Sequence, residues 1–229
     1  MTDAARQSWY DTPDPDGRGH VFIITYGRSG STLLMSLINA APECIIRGEN
    51  AGALHALFDA YRRIQAGQAT REETSRRTTS PWWGISEVPL DDFARDLARV
   101  FTRHVIRPSP EHRICGFKEI RFSPRDVPDL AGYLDFLRLA FPPAKIVFNH
   151  RRLEDVSKSK WWAGNPDALE ELTAIDRRFL EFPSSDSVFH FSYDRALTDR
   201  THVWELFAFL GATYDDEALE EVFATRQSY

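Results

Sequence analysis

Residues 20–40 read HVFIITYGRSGSTLLMSLINA, a strand-like run, a turn and a helix-like run in direct succession. Residues 20–26 are rich in β-branched and aromatic side chains, as is typical of a buried parallel strand. Gly27 and Gly30 allow a tight turn and a close backbone approach, and STLLMSLINA then predicts a helix. This stretch therefore predicts a β-strand, a glycine turn and an α-helix.

The turn within TYGRSGSTLL, residues 25–34, has the chemistry of an anion site. Its backbone N–H groups point to the mouth of the helix, where Ser31 and Thr32 add hydroxyl donors beside the positive end of the helix dipole. Arg28 can bind phosphate or sulfonate oxygens and balance charge that develops on a bridging oxygen. A glycine turn with a solvated arginine is the alternative, but the coincidence of strand, glycines, hydroxyls and helix favours the anion site.

The turn differs from the phosphate loop of ATP-binding proteins, GxxxxGK[ST]. Ser31 stands at the lysine position and Thr25 at the first glycine position. A nucleoside-triphosphatase is therefore disfavoured, and a kinase-like phosphotransferase that uses ATP and magnesium is retained as an alternative.

Strands and helices alternate along the rest of the chain, which predicts one α/β domain with a mainly parallel sheet flanked by helices. Ligands are then expected at the carboxyl ends of the strands. Gly211 stands where a helix C-cap glycine is common. Further strands are predicted at residues 43–47, 112–120, 144–150 and 187–193, and further helices at 51–64, 90–106, 127–141, 153–162, 167–182, 202–211 and 215–224.

Residues 66–86 interrupt this alternation with a polar segment that contains both Gly and Pro. The segment predicts an exposed excursion of loop or frayed helix. The helix before it is expected to bury one face, formed by Ala53, Leu57, Tyr61 and Ile64.

The composition fits one domain that has an anion-binding part. The chain has 229 residues, of which 42% are hydrophobic, and a net charge of −6. Residues 1–19 predict a polar tail and residues 20–229 the domain. Residues 166–229 hold 14 acidic and 5 basic residues, whereas residues 1–165 hold 20 acidic and 23 basic ones. The first three-quarters can therefore attract an anion, but a pI of about 5.7 disfavours nucleic acid as the main ligand.

Nothing in the sequence predicts a membrane segment or a metal site. No apolar run approaches the roughly 20 residues of a membrane helix, and the first residues lack the apolar segment of a signal peptide. Cys44 and Cys115 are too few for a disulfide scaffold, although one bridge between them stays open. No histidine or cysteine has metal-ligand spacing. We expect a cytoplasmic protein without membrane insertion, and the sequence predicts no particular oligomeric state.

A second motif is AKIVFNHRRLEDVSKSKWW, residues 144–162. A predicted strand brings Arg151 and Arg152 to its carboxyl end, and the following helix carries Ser159 eight positions after Arg151. An arginine and a hydroxyl in this arrangement can hold one phosphate from two directions. Taken alone, the segment fits equally well a basic helix start followed by a surface serine.

The two motifs together resemble the sulfotransferase family that uses 3′-phosphoadenosine 5′-phosphosulfate, and in motif are closest to tyrosylprotein and carbohydrate sulfotransferases. The resemblance implies the P-loop NTPase-like sulfotransferase fold, that nucleotide as sulfonate donor, adenosine 3′,5′-bisphosphate as product, and no metal. The acceptor would be a hydroxyl of a sugar, a peptide tyrosine or a small molecule. The implied residues for the 3′-phosphate are Arg151 and Ser159, and those for the 5′-phosphosulfate are Gly27, Arg28, Ser29, Gly30, Ser31 and Thr32.

Three weaker matches extend the resemblance. RGEN at 47–50 implies Glu49 as the base that takes the acceptor's proton, and GFKEIRF at 116–122 implies that Lys118 assists at the transferred group together with Arg28. The segment that begins FHFSYD implies Tyr193 as a nucleotide contact. Glu49 before a helix could equally favour the helix N-terminus. His150 and His55 are rival bases, although a histidine packed under the loop is the simpler interpretation of His150.

The chain also departs from the family pattern. A basic third nucleotide loop near the C-terminus is missing, since TRQSY at 225–229 offers only Arg226 and Ser228. A non-catalytic nucleotide-binding relative is therefore a second alternative. Tyr26 stands where many relatives have proline, a difference interpreted as harmless.

Two tryptophan pairs and a basic run concern the acceptor. Trp161–Trp162 predicts one ring in the core and one half exposed, and Trp82–Trp83 predicts acceptor contact or lid packing. Five arginines among residues 62–77 hint at an anionic acceptor, although a solvated helix end is the simpler interpretation.

Overall fold

A computed structural model describes residues 17–225, which form a five-stranded parallel sheet in the order β2-β3-β1-β4-β5. This architecture confirms the predicted α/β fold with a parallel sheet. Most of the tail predicted at 1–19 lies outside the described residues, as do Arg226 and Ser228. The strands are β1 (Gly19–Ile24), β2 (Cys44–Arg47), β3 (Ile114–Glu119), β4 (Ala144–His150) and β5 (Val188–Ser192).

Helices cover both faces of the sheet. Alternate residues of β1 point to opposite faces, so that Phe22 joins one hydrophobic cluster with α2, α3, α4 and α6, and Val21 joins another with α1, α8 and α9. The helices are α1 (Ser31–Asn39), α2 (Ala53–Ser75), α3 (Leu90–Phe101), α4 (Leu130–Ala140), α5 (Leu153–Ser157), α6 (Ala168–Leu180), α7 (Tyr193–Thr198), α8 (Thr201–Leu210) and α9 (Asp216–Ala224). Short helical segments occur at Ile85–Glu87 and, of the π type, at Thr102–Ile106.

The helix α2 is longer than predicted and is rotated by one residue. It buries Leu54, Phe58 and Tyr61, whereas Ala53 is exposed. The reason is tertiary: Phe58 and Tyr61 pack against aromatic rings of α4, with ring centroids 5.2 Å to 5.5 Å apart. The prediction that Ala53 is buried was therefore wrong, because this contact turns the neighbouring face, with Leu54 and Phe58, toward the core.

The polar excursion begins as helix and then folds back on it. Helix α2 continues to Ser75, and Gln68 Nε2 donates to the carbonyl oxygens of Ile85 at 3.0 Å and Val88 at 2.8 Å. Ser75 Oγ also donates to Ser86 Oγ at 2.7 Å. These polar contacts hold the segment together. The hydrophobic pattern of the sequence therefore did not indicate how the segment folds.

The sheet order places a ligand crevice beside β1. From β1 the chain first builds β2 and β3 on one side and then β4 and β5 on the other, which makes the carboxyl end of β1 a topological switch point. Ile24 at this end is in register with Glu119 of β3 and Phe148 of β4. The loop after β1 therefore lies between the ends of β3 and β4.

Two further findings concern bridges and membranes. Cys44 and Cys115 are buried thiols that form no disulfide with each other. Between residues 17 and 225, none of the helices has the length and apolar character needed to cross a membrane.

Candidate active site

The loop from Thr25 to Gly30 follows β1 and is held in an unusual backbone conformation. Arg28 has φ 70° and Gly30 has φ 78°, both in the left-handed region, which costs a non-glycine residue about 1 kcal/mol. A Cβ atom on Gly30 would lie 2.2 Å from Cδ2 of Tyr193. The loop thus needs glycine at position 30 both for its backbone angle and for the tyrosine ring packed on it.

A buried network of hydrogen bonds holds the loop on its interior side. Thr25 Oγ1 lies 2.7 Å from Ser29 Oγ and 2.8 Å from the carbonyl oxygen of Asn149. Asn149 Nδ2 donates to the carbonyl oxygen of Ser29 at 3.1 Å, and Trp162 Nε1 donates to that of Gly27 at 3.1 Å. The Ser29 hydroxyl therefore faces the interior, and this residue can meet a ligand only through its backbone.

A cavity of about 400 Å³, here called the loop cavity, opens above this loop. It unites residues of both sequence motifs although more than 100 positions separate them, because β1 and β4 are adjacent in the sheet. Ser29 and Ser159 do not line it. The predicted site residues that do are Gly27, Arg28, Gly30, Ser31, Thr32, Glu49, Lys118, Arg151 and Tyr193.

Arg151 is oriented toward the loop. Its Nη1 donates to the carbonyl oxygen of Arg28 at 3.1 Å, and its guanidinium carbon lies 4.6 Å from the ring centroid of Tyr193. Among residues 17–225, Arg151 Nε and Ser159 Oγ are buried polar atoms without a hydrogen-bond partner. Such an atom costs about 1–3 kcal/mol unless a ligand or water satisfies it.

Ser159 does not lie on a helix as predicted. Helix α5 ends at Ser157, and Ser159 lies in the turn that follows. The turn is held by the indole of Trp162, which bonds to the loop after β1 as described above. A tertiary contact thus ends the helix where the local sequence still allowed it to continue.

At the opposite end of the loop cavity, Glu49 and Lys118 form an ion pair. Lys118 Nζ donates to Glu49 Oε1 at 2.8 Å, and Arg121 Nη1 lies 3.6 Å from Glu49 Oε2. The Lys118 side chain is 8% exposed and that of Glu49 is 32% exposed. The pair therefore sits at the cavity wall, with the carboxylate partly open to an incoming hydroxyl.

Groups other than Glu49 accept the hydrogen bonds of the backbone N–H groups at the start of α2. Gly52 N donates to Glu119 Oε2 at 3.1 Å, and Leu54 N donates to Asn50 Oδ1 at 3.3 Å. Glu49 instead contacts Lys118, which lines the loop cavity, and Arg121, which does not. This arrangement favours a role in the cavity over the helix-capping alternative.

The rival bases, His150 and His55, lie outside the loop cavity. His150 Nδ1 contacts Asp176 Oδ1 at 2.7 Å, and His150 Nε2 contacts His190. His55 packs edge-on against Phe122 at 5.1 Å between ring centroids, and burial lowers its pKa. Neither imidazole lines the loop cavity.

Sequence reasoning missed two residues of the site. Arg121 contacts Glu49, but a single arginine after a strand gives no distinguishing signal. Trp161 is 62% exposed and lines the loop cavity, while Trp162 packs against the core. The pair divides as predicted between core and surface, and its exposed member is part of the cavity wall. Trp82 and Trp83 are exposed but line neither this cavity nor its neighbour.

A second cavity of about 390 Å³, here called the adjoining cavity, lies beside the first. The two share Gly27, Ile120 and Trp161 as a common wall. Its other lining residues combine an apolar floor with charges of both signs, namely Tyr26, Arg121, Ser123, Pro124, Arg125, Asp126, Trp162, Glu171, Ala174 and Ile175. Within residues 17–225, no group of three or more His, Cys, Asp or Glu side chains could hold a metal ion.

A parallel α/β sheet with a hydroxyl-rich glycine loop at its switch point, and no lysine in that loop, belongs to a class of α/β proteins distinct from those with the ATP-type phosphate loop. Comparison with known proteins identifies the class. The sulfotransferase family model matches residues 20–216, so the chain belongs to the sulfotransferase family. No curated protein sequence matches it.

Two solved sulfotransferase structures are similar to this chain at low sequence identity. The sulfotransferase domain of the Synechococcus PCC 7002 olefin synthase is 18% identical, with a TM-score of 0.50, and the match covers 91% of this chain and 78% of that domain. Sulfotransferase STF9 from Mycobacterium avium is 14% identical, with a TM-score of 0.46 and coverage of 99% and 72%. The first of these similarities concerns the fold alone.

Proposed function

We propose that the protein transfers a sulfonate group from 3′-phosphoadenosine 5′-phosphosulfate to an acceptor hydroxyl. The observation that carries the proposal is the loop cavity, in which the anion loop, Arg151 and the Glu49–Lys118 pair line one space. A donor nucleotide with phosphates at both ends requires two anion sites in one cleft, and the acceptor requires a base beside one of them.

The residues fit the donor. The loop offers backbone N–H groups and the hydroxyls of Ser31 and Thr32 to the 5′-phosphosulfate at the start of α1. Arg151 Nε and Ser159 Oγ are the unsatisfied buried donors that a 3′-phosphate would satisfy. Tyr193, stacked between Arg151 and Gly30, would contact the nucleotide.

The reaction is a displacement at sulfur. The acceptor oxygen forms a bond to sulfur while the bond between sulfur and the 5′-phosphate oxygen breaks, and Glu49 takes the acceptor's proton. Arg28 and Lys118 balance the charge on the transferred group and on the leaving phosphate. Positioning and charge stabilisation suffice for this chemistry, so the proposal uses no metal.

We place the acceptor in the adjoining cavity. This cavity shares Gly27, Ile120 and Trp161 with the loop cavity, which the proposed reacting groups line. Its charged rim residues are Arg121, Arg125, Asp126 and Glu171, two of each sign. This balance favours an uncharged acceptor over a strongly anionic one. A cytoplasmic location belongs to the same proposal, in keeping with the low cysteine content.

The proposal is tested by product formation from the donor with a panel of sugars, phenols, tyrosine peptides and lipid alcohols. A thermal-shift comparison of adenosine 3′,5′-bisphosphate with ATP and magnesium separates it from the kinase-like alternative, since only the former should raise the unfolding temperature. Binding of that nucleotide without product from any acceptor would favour the non-catalytic alternative.

Removal of the 3′-phosphate ligands should weaken donor binding. We expect Arg151→Ala to lower the affinity for adenosine 3′,5′-bisphosphate about 10- to 100-fold and Ser159→Ala about tenfold, since hydrogen bonds to charged groups contribute about 1.5–3 kcal/mol. Arg28→Ala should weaken binding at the other end. Calorimetry measures these constants. Arg152→Ala is the matched control, because Arg152 is exposed and lies outside the cavity. Unchanged affinity in all three site variants would reject the site.

Filling the adjoining cavity should weaken acceptor binding and leave donor binding unchanged. Ala174 is exposed on α6 and lines only this cavity, so Ala174→Trp should raise the acceptor KM at least about tenfold while the affinity for adenosine 3′,5′-bisphosphate stays within about twofold. Ala208→Trp, at an exposed position of α8, is the control. An acceptor KM that is the same in both variants would place the acceptor elsewhere.

A further inference from the structure

Tyr26 stands where many relatives have proline, a difference interpreted from the sequence as harmless. Its hydroxyl contacts both backbone groups of Arg151. Its hydroxyl accepts a hydrogen bond from Arg151 N at 3.1 Å and lies 3.1 Å from the Arg151 carbonyl oxygen, which can only accept. The same hydroxyl lies 3.2 Å from Asp176 Oδ1, so its one proton is shared between this oxygen and the Arg151 carbonyl oxygen. Burial, reinforced by the nearby Asp176 carboxylate, raises the pKa of Tyr26, so the hydroxyl keeps its proton. A proline at position 26 could make none of these contacts.

Behind Tyr26 lies a chain of titratable groups that no step of the proposed reaction uses. His150 Nδ1 is 2.7 Å from Asp176 Oδ1, His150 Nε2 is 2.8 Å from His190 Nδ1, and His190 Nε2 is 2.7 Å from the carbonyl oxygen of Phe182. The four side chains of Tyr26, Asp176, His150 and His190 are here called the Tyr26 network. They belong to the loop after β1, to α6, to β4 and to β5.

The contacts of this network join its side chains into one continuous chain. Each of the three contacts from Asp176 to Phe182 needs one proton between its two atoms, and the imidazoles of His150 and His190 each take part in two of these contacts. Burial lowers the pKa of His190. His150 and Tyr26 both contact Asp176 Oδ1, so the chain holds this carboxyl oxygen in place beside the Tyr26 hydroxyl.

We propose that the Tyr26 network is a positioning device that holds the backbone of Arg151 so that its guanidinium meets the 3′-phosphate of the donor nucleotide. The inference rests on the proposed function, in which Arg151 binds that phosphate. With the backbone fixed, two contacts direct the side chain: the hydrogen bond to the Arg28 carbonyl oxygen and the Tyr193 ring. Asp194 Oδ2 fixes the next residue by accepting from Arg152 N at 2.7 Å. No member of the network lines the loop cavity itself.

The first experiment compares two nucleotides in the full-length protein. Calorimetry with adenosine 3′,5′-bisphosphate and with adenosine 5′-monophosphate isolates the contribution of the 3′-phosphate. We expect Tyr26→Phe to bind the bisphosphate roughly tenfold more weakly than wild type and to bind the monophosphate as wild type does. Tyr133→Phe makes the same chemical change at another fully buried tyrosine, whose hydroxyl has no partner among residues 17–225, and should leave both affinities unchanged.

A second pair of variants tests the carboxylate. Asp176→Ala removes the contacts to both Tyr26 and His150, and should reproduce the selective loss of bisphosphate affinity. Asp176→Asn can donate from its amide to the bare Nδ1 of a neutral His150 and to the Tyr26 oxygen, so it should restore most of that affinity. Rescue by asparagine distinguishes positioning from a general loss of packing, which both substitutions would share.

The outcomes separate this inference from the function on which it rests. Equal affinity of the wild-type protein for the two nucleotides would overturn the 3′-phosphate site and, with it, the role of the network. A wild-type preference for the bisphosphate that Tyr26→Phe and Asp176→Ala retain would overturn the network alone. An equal loss of both nucleotides in these variants would indicate damage to the loop as a whole and would also overturn it.

Discussion

Gly30→Ala is expected to abolish measurable binding of adenosine 3′,5′-bisphosphate. The added Cβ would lie 2.2 Å from Tyr193 Cδ2 and 2.8 Å from Cγ of the same ring. Both distances are too short for non-bonded carbon atoms, so the new side chain would clash with the ring. Either the ring or the loop must move, and both line the loop cavity. Because the loop and the ring would both have to hold the nucleotide, we expect calorimetry to show an affinity at least about 100-fold lower, which is about 2.7 kcal/mol of binding free energy.

The backbone angle by itself explains little of this loss. Gly211 also has a positive φ, of 72°, but a Cβ there would meet nothing within 4 Å. Gly211→Ala therefore carries only the strain of the left-handed conformation, about 1 kcal/mol of unfolding free energy, and should bind the nucleotide normally. Should Gly30→Ala bind as tightly as Gly211→Ala, the close packing of Tyr193 on the loop would be refuted.

The second large effect concerns turnover. Glu49→Gln should lower kcat by about 10²- to 10⁴-fold, the range typical of general acid–base catalysis, while the affinity for adenosine 3′,5′-bisphosphate stays near that of wild type. Glutamine keeps the size of the side chain but cannot take a proton from the acceptor. Steady-state kinetics with a reactive acceptor, together with nucleotide calorimetry, measures both quantities.

The control for this variant is the same substitution at a remote ion pair. Glu72 on α2 is exposed and pairs with Arg76, just after this helix, at 2.7 Å, so Glu72→Gln should leave kcat unchanged. Because Glu49→Gln also leaves the buried Lys118 ammonium without its carboxylate, thermal unfolding must be recorded alongside. A folded Glu49→Gln protein with wild-type kcat would remove Glu49 from the role of base.

Local sequence patterns predicted the elements that build the site. The strand predicted at residues 144–150 has the observed bounds of β4, and the helix predicted from residue 31 begins there. Both have a continuous apolar pattern beside a clear turn, so propensity and burial agree. Helix α7 (Tyr193–Thr198) was not predicted, because a six-residue helix directly after a strand leaves no periodic signal.

The same division applies to the candidate site. The loop residues could be named from the sequence because their chemistry follows from one short segment, in which glycines, hydroxyls and an arginine precede a helix. The inward orientation of the Ser29 hydroxyl could not be predicted, since it depends on Thr25 Oγ1, which also contacts the carbonyl oxygen of Asn149 in a neighbouring strand. The separation of Glu49 from the helix-capping contacts likewise depends on Glu119 and Lys118 of β3.

By itself, the sequence determined the class of the fold and predicted an anion-binding turn after β1 and a candidate arginine far downstream, because each of these resides in contiguous residues. Only the tertiary structure decided that Arg151 lines the same cavity as that turn and that Tyr26 holds its backbone. The Tyr26–Asp176 contact joins residues 150 positions apart. Such contacts arise from the packing of strands and helices against one another, and local propensity contains no information about which distant groups that packing brings within hydrogen-bonding distance.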